Sequence, residues 1–100
     1  MKIVVLDGFT AASTDLSYDF LKEYCDELKV YDRTDKDEIV ERIADAQMVI
    51  TNKVVLSADI LSKCKNVKYI GILATGYNNI DIEYCKNNNI VVKIKIIAFV

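Results

Sequence analysis

Residues 68–78 of the chain are KYIGILATGYN, and the pattern within them already indicates a fold class. The first half, KYIGIL, is a short apolar run, which is typical of a strand buried on both faces. The second half, ATGYN, is small and polar, and its Gly76 lets the backbone bend without a side chain in the way. We therefore expect a strand over residues 68–73, followed by a loop that leads into a helix.

The same kind of apolar run recurs along the rest of the chain. The other predicted strands are Ile3–Leu6, Leu28–Tyr31, Met48–Thr51 and the segment from Ile90 to Val100. Segments with helical spacing separate these runs. Alternating strands and helices predict an α/β fold, a doubly wound five-stranded parallel sheet with helices on both faces.

The helical segments carry apolar residues about one turn apart. In the first, Leu16, Phe20 and Tyr24 fall four apart with Leu21 beside them, which predicts one buried face. A second such face contains Ile39 and Ile43, and an outward ion pair is expected between Glu38 and Arg42. The residues expected to begin or end helices are Thr34 (with Asp37), Ser57, Asn78 or Asn79, and the run Asn87–Asn89.

Composition excludes several classes of protein. A chain of 100 residues holds one domain, and 52% apolar with 28% charged residues is a globular balance. The net charge of −2 is spread along the chain without a basic stripe, so we expect no nucleic-acid partner. The apolar runs are too short for a signal peptide or a membrane span, so we expect a cytoplasmic protein and no membrane partner.

The sequence also restricts the chemistry that the chain can perform. It has no histidine, the commonest proton carrier and metal ligand in proteins, and we expect no metal site and no catalytic residue. Its three cysteines, Cys25, Cys64 and Cys85, are widely separated and are expected to be small core residues. With glycine only at positions 8, 71 and 76, neither a dinucleotide-binding nor a Walker phosphate loop can form.

The loops that follow the strands are the candidate binding sites, because ligands of open parallel sheets bind beyond the carboxyl ends of the strands. Around Gly76, free backbone amides at the start of a helix favour a small anion such as a carboxylate. Lys53, in the loop after the third strand, would add a positive charge. Both features also occur in ordinary turns and solvated loops, and Asp7 before Gly8 is interpreted mainly as a turn signal.

Several motifs follow one another in order and spacing from the N-terminus to about Val92. They are MKIVVLDG (1–8), VYDRT (30–34), EIVER (38–42), TNK (51–53) and, most specific, KYIGILATGYNNID (68–81). Together they make the chain resemble the NAD-dependent D-2-hydroxyacid dehydrogenases. The likeness is strongest to the branch of glycerate dehydrogenase, or hydroxypyruvate reductase.

This resemblance implies a flavodoxin-like substrate-binding domain with strand order 2-1-3-4-5. It further implies that the substrate, a small 2-hydroxy or 2-oxo acid, meets backbone amides of one loop, with a second loop bordering the same cleft. The residues implied are Ala74, Thr75, Gly76 and Tyr77 in the first loop and Asn52 and Lys53 in the second. The family uses NAD(H), which binds to a second, Rossmann-type domain.

The chain departs from the family after its fifth strand. Residues 92–100, VKIKIIAFV, replace the usual continuation, and we expect the Rossmann domain to be absent. We therefore expect residues 1–100 to be a truncated substrate-binding domain that binds no NAD(H) and is inactive alone. The alternative is a standalone interaction module that self-associates as a homo-oligomer through its C-terminal strand. A flavin-binding protein is a third, less favoured hypothesis.

Overall fold

Short parallel strands form the centre of the molecule in the computed structural model, which describes residues 1–8, 19–72 and 79–94. The five strands in these ranges are β1 (Lys2–Val5), β2 (Glu27–Val30), β3 (Met48–Thr51), β4 (Tyr69–Ile72) and β5 (Val91–Ile94). All five predicted strands are therefore found. The part of the last predicted strand beyond Ile94 lies outside the described residues.

The helices of the described ranges are short. The α-helices are α1 (Ile39–Ile43), α2 (Ala58–Ser62) and α3 (Ile82–Asn87), and 3₁₀ helices span Asp19–Tyr24 and Lys36–Glu38. None of the helices in the described part of the chain is long and apolar enough to cross a membrane.

The strands lie in the order β2-β1-β3-β4-β5, and every neighbouring pair is parallel. The predicted order 2-1-3-4-5 is confirmed. A row of paired residues crosses the sheet, in which Ile3 faces Met48, Met48 faces Tyr69, and Tyr69 faces Val91. Because all strands run the same way, their carboxyl ends share one edge, called here the carboxyl edge.

Helices pack on both faces of the sheet, as expected for a doubly wound fold. On one face, inward residues of the strands such as Val49 and Ile70 pack in one buried cluster with Ile43, Leu61 and Cys85 from the three α-helices. On the other face, Ile3, Val5, Leu21 and Ile50 form a smaller cluster. The crossover from β1 to β2 runs opposite to the other three, so right-handed connections place its helix on the opposite face.

The first helical segment differs from its prediction. Leu21 is buried, with 6% of its surface exposed, but Tyr24 is 66% exposed. Residues 19–24 form a 3₁₀ helix with about three residues per turn, so positions four apart do not share a face. The prediction of Tyr24 as a core residue was therefore wrong, while Leu16 lies outside the described residues.

Helix starts were predicted with mixed success. Ser57 caps α2, where its Oγ accepts the Ile60 N–H at 3.4 Å, as expected. The 3₁₀ helix before α1 is capped by Asp35, whose N–H donates to Glu38 Oε1 at 3.0 Å, one residue after the predicted Thr34. The Thr34 hydroxyl bonds elsewhere: it donates to the Leu6 carbonyl at 2.6 Å and accepts from Arg42 Nη1 at 2.8 Å.

The last helix begins at a different residue from the one expected and ends as expected. Asp81 caps α3 by accepting the Tyr84 N–H at 2.9 Å, so the prediction of Asn79 was wrong. Asn79 is used elsewhere, and Asn78 lies outside the described residues. After the helix, Asn89 has φ 59°, the left-handed conformation that asparagine tolerates better than most residues.

Candidate functional site

The loop after β3 lies at the carboxyl edge, held by a buried carboxylate from the neighbouring strand. Asp7 follows β1 and is 2% exposed. Its Oδ1 accepts the backbone N–H of Asn52 at 2.8 Å and its Oδ2 accepts that of Lys53 at 2.6 Å. Hydrogen bonds from N–H groups to a carboxylate are stronger than those between neutral groups. Asp7 is therefore a structural hydrogen-bond acceptor. The sequence-based prediction that Asp7 is mainly a turn residue was wrong.

Asn79 bonds the same loop from its carbonyl side. The Asn79 Nδ2 donates to the carbonyl oxygens of Asn52, at 3.4 Å, and of Val54, at 2.9 Å. The Asn79 carbonyl in turn accepts the Leu56 N–H at 2.8 Å, beside a parallel bridge between Leu56 and Ile80. The segment after β3 and the chain that leads into α3 are thus hydrogen-bonded together.

The predicted binding residues divide into two groups. Asn52 is half-buried and Lys53 is exposed, and both are at the carboxyl edge as expected. Ala74, Thr75, Gly76 and Tyr77 lie outside the described residues. The described chain stops at Ile72, at the carboxyl end of β4, and resumes at Asn79, so the ends flanking the Gly76 loop meet this edge next to Asn52.

An open cavity of about 330 Å³ lies beside Lys53. Its lining residues are charged or polar apart from Val54: Asp7, Arg33, Thr34, Asp35, Lys53 and Val54. The charge of Asp7 is directed to the amides of residues 52 and 53, whereas the Lys53 side chain is exposed. The lining therefore carries two cations, of Lys53 and Arg33, and the two carboxylates of Asp7 and Asp35.

The far wall of the cavity comes from the loop after β2, which is fixed by Arg42. The guanidinium Nη1 donates to the Arg33 carbonyl and to Thr34 Oγ1, both at 2.8 Å. Its Nη2 donates to Glu38 Oε2 at 2.9 Å, which confirms the predicted pair of Glu38 and Arg42. The guanidinium also lies 3.9 Å from the centroid of the Tyr31 ring, a favourable cation–π distance.

A second, apolar cavity of about 320 Å³ adjoins the first. The two cavities share Thr34 and Val54. The further lining residues of this one are Lys36, Ile39, Val55, Ser57 and Ile60. A ligand with a polar head and a short apolar group would therefore find both kinds of surface along one edge of the sheet.

Two of the three cysteines are unsuited to be a reactive centre. Cys64 and Cys85 are buried in the core, and burial raises the pKa of both thiols, which disfavours the reactive thiolate. Cys25 is half-buried, and its Sγ contacts the Leu21 carbonyl at 3.3 Å. Among residues 1–8, 19–72 and 79–94, no group of three or more His, Cys, Asp or Glu side chains is arranged to hold a metal ion.

Asp7 and Asn79 were not predicted from the sequence as site residues. One signal was available for Asp7, since a charged residue directly after a fully apolar strand lies where burial is expected. No local signal marks the partners, because 45 residues separate Asp7 from Asn52. For Asn79, the sequence predicted a capping role and gave no local signal for its side-chain contacts with residues 52 and 54.

Comparison with known proteins gives the geometry a family context. Residues 3–94 match the family model described as D-isomer specific 2-hydroxyacid dehydrogenase, catalytic domain. A hydroxypyruvate reductase of Blautia hydrogenotrophica is 44% identical over 93 residues, which is 90% of this chain and 29% of that protein. A glycerate dehydrogenase of Methylorubrum extorquens is 36% identical over 100 residues, covering 98% of this chain and 31% of that protein.

A solved structure agrees with the sequence matches. The 3-phosphoglycerate dehydrogenase of Entamoeba histolytica, crystallised with its cofactor NAD⁺ bound, superimposes with a TM-score of 0.72 at 30% identity. The match covers 94% of this chain and 32% of that one. The chain therefore spans about 30% of the length of the relatives that it matches.

Proposed function

Because the chain belongs to the D-isomer specific 2-hydroxyacid dehydrogenase family, we propose that it is the substrate-binding domain of an enzyme acting on hydroxypyruvate- or glyoxylate-type 2-oxo acids. The observation that carries this proposal is the position of Asn52 and Lys53. Both lie at the carboxyl edge, in a chain whose match to the family runs from residue 3 to residue 94. This edge is where open parallel sheets bind their ligands.

The carboxylate common to 2-hydroxy and 2-oxo acids is the group that this edge is suited to bind. In the proposal, backbone amides of residues 74–77 donate to it, and the Lys53 ammonium supplies a neutralising charge. Lys53 is exposed and lines the polar cavity, so it reaches an anion without a large desolvation cost. A pair of opposite charges near a protein surface contributes roughly 1 kcal/mol or somewhat more.

We do not expect the chain to hold NAD(H) by itself. The nicotinamide cofactor, when bound, supplies or accepts the hydride, and its pyrophosphate needs a glycine-rich turn with free amides. After β1 the sequence has a single glycine, Gly8, beside the buried Asp7, so the turn is not glycine-rich. The residues of this chain would therefore bind and orient the acid, while the cofactor docks on another domain of the family.

The binding part of the proposal is tested with glyoxylate and the Lys53→Ala variant. Loss of one charge contact should weaken glyoxylate binding about fivefold, as measured by ¹⁵N NMR titration of the full chain. Lys65→Ala is the matched control, because Lys65 is also exposed but precedes β4, at the opposite edge of the sheet. Equal affinity of the parent chain and Lys53→Ala would remove Lys53 from the site.

The enzymatic part is tested by adding NADH and hydroxypyruvate to the purified chain. We expect no oxidation of NADH above a buffer blank, because neither histidine nor a nucleotide-binding loop is available in the sequence. Sustained turnover that scales with protein concentration would contradict the proposed division of roles.

Self-association is a second candidate function, favoured by two exposed apolar residues on the neighbouring strands β4 and β5. Tyr69 and Val91 are paired neighbours on β4 and β5, with 46% and 40% of their surfaces exposed. Exposed apolar residues beside an outer strand often mark a contact surface. In this alternative the partner is a second copy of the chain, and the contact includes β5.

A further inference from the structure

Asp7 and Asn79 contact segment 52–54 from opposite sides. Asp7 accepts two backbone N–H groups, of Asn52 and Lys53. Asn79 donates to two carbonyl oxygens, of Asn52 and Val54. A third side chain completes the arrangement, since Thr51 Oγ1 accepts the Val54 N–H at 3.2 Å.

This bonding is unusually complete for a surface loop. All three N–H groups of residues 52–54 donate to side chains, at 2.8, 2.6 and 3.2 Å. Both accepting residues, Asp7 and Thr51, are buried, with 2% and 0% of their surfaces exposed. Placing a charge at a nearly dry position is unfavourable unless its hydrogen bonds are fully made, so the arrangement tolerates little displacement of the loop.

The chain around Asn79 is also bonded to the backbone that follows segment 52–54. The Asn79 carbonyl accepts the Leu56 N–H at 2.8 Å. The Asp81 N–H adds a second backbone bond, to the Leu56 carbonyl, at 3.1 Å. These bonds fix the position of Asn79 relative to the segment that it contacts.

We infer that Asp7 and Asn79 are positioning residues, which hold Asn52 and Lys53 in place so that Lys53 meets the ligand carboxylate. Neither Asp7 nor Asn79 needs to touch the ligand. The inference rests on the proposed function for the ligand, but its mechanical part, a clamped segment 52–54, stands on the hydrogen bonds alone. Preorganisation of this kind reduces the ordering cost of binding.

Isosteric substitutions test the inference with little change in shape. In Asp7→Asn, an amide NH₂ faces one of the two N–H donors, so that hydrogen bond is lost together with the charge. In Asn79→Asp, a carboxylate faces two carbonyl oxygens, and both hydrogen bonds are lost. Should one variant not fold, the other still tests the clamp from its own side.

Two controls carry the same chemical changes at the opposite edge of the sheet. Asp45→Asn matches Asp7→Asn, because Asp45 is exposed and bonded to the Lys2 ammonium at 3.0 Å. Asn66→Asp matches Asn79→Asp, because the Asn66 Nδ2 donates to the Ala44 carbonyl at 3.2 Å. Neither of these two contacts involves segment 52–54.

The first measurement is hydrogen exchange of the Asn52 and Lys53 amides, compared with the Ile70 amide in β4. We expect Asp7→Asn and Asn79→Asp to speed exchange at 52 and 53 about tenfold beyond any change at Ile70. A merely structural role would change all three amides together. The second measurement is glyoxylate affinity by NMR titration, expected to fall about fivefold in both variants and in neither control.

The two measurements separate failure of the inference from failure of the proposed function. If the parent chain binds glyoxylate and the variants bind it equally well with unchanged exchange at 52 and 53, the positioning role is overturned. If the parent chain does not bind glyoxylate, the proposed function fails for this ligand. Exchange then decides alone: local acceleration supports the clamp, and uniform exchange overturns it.

Discussion

Two buried polar residues of the described chain, Asp7 and Thr51, serve the same short segment. Asp7 accepts the N–H groups of residues 52 and 53, and Thr51 Oγ1 accepts that of Val54. Asp7 lies two residues after β1, and Thr51 ends β3, whose other residues are apolar. At the scale of single residues, both Asp7 and Thr51 thus stabilise the same loop, residues 52–54.

Single residues were predictable where burial alone decides their role. Cys64 and Cys85 were expected in the core from their type and spacing, and both are buried. Asp7 was not predictable as a loop clamp, because its partners are 45 and 46 residues away in sequence. Only the pairing of β1 with β3 brings them together.

The cysteines give a prediction at this scale. At pH 8, a soluble disulfide reagent should modify Cys25 at least about tenfold faster than Cys64 or Cys85, because burial raises the pKa of the latter two thiols. Absorbance of the released thiolate reports the reaction. Cys25→Ser should lack the fast phase, and unfolding in urea should expose the buried thiols. A fast phase that survives Cys25→Ser would contradict their burial.

At the scale of elements, the strands were predictable and the helices less so. Continuous apolar runs marked all five strands to within a residue or two where they are described. Helix periodicity misled at Tyr24, since residues 19–24 adopt the tighter 3₁₀ form. Two helices also begin at residues other than those predicted, since Thr34 and Asn79 bond to distant backbone groups instead of capping.

The end of α3 gives a prediction about an element. Asn89 has φ 59°, so Asn89→Gly should leave the free energy of unfolding unchanged or raise it slightly. Asn89→Val should lower it by roughly 1–2 kcal/mol, because a β-branched residue is strained there. Urea unfolding followed by circular dichroism measures both. Asn87→Ala, inside the helix, is the control, and an Asn89→Val variant as stable as the parent would argue against the left-handed turn.

At the scale of the whole molecule, the two faces of the sheet differ. The three α-helices pack on one face, while Tyr69 and Val91 stay exposed on the other. The strand order follows from the resemblance to a known family. The exposure of this pair could not be predicted from sequence, because an apolar run looks the same whether one or both of its faces are covered.

Self-association is the prediction that belongs to this scale. We expect the chain to form a dimer at micromolar concentration, and Tyr69→Lys to shift it towards monomer because a charge replaces the exposed ring. Light scattering behind size-exclusion chromatography measures the mass. Tyr24→Lys is the control, since Tyr24 is also exposed, at 66%, but lies on the first 3₁₀ helix. A monomeric parent chain would remove this alternative.

The candidate site was predictable in location but only partly in detail. The position of the loop after β3 follows from strand polarity and from the family resemblance, and Asn52 and Lys53 lie at the carboxyl edge as expected. Residues 74–77 lie outside the described residues, so their place in the site stays a prediction. The hydrogen-bond partners of Asn52 and Lys53 were not foreseen. Long-range contacts set these partners, whereas the sequence pattern reports only local periodicity.

The most direct test is an amide-resolved NMR map of glyoxylate binding to the full ¹⁵N-labelled chain. If the carboxyl edge binds the carboxylate, the amides of Asn52, Lys53 and residues 74–77 should shift together and saturate along one binding curve. The amides of Lys65 and Asn66, at the opposite edge, should stay in place. Shifts confined to that opposite edge, or a spectrum unchanged by glyoxylate, would contradict the account.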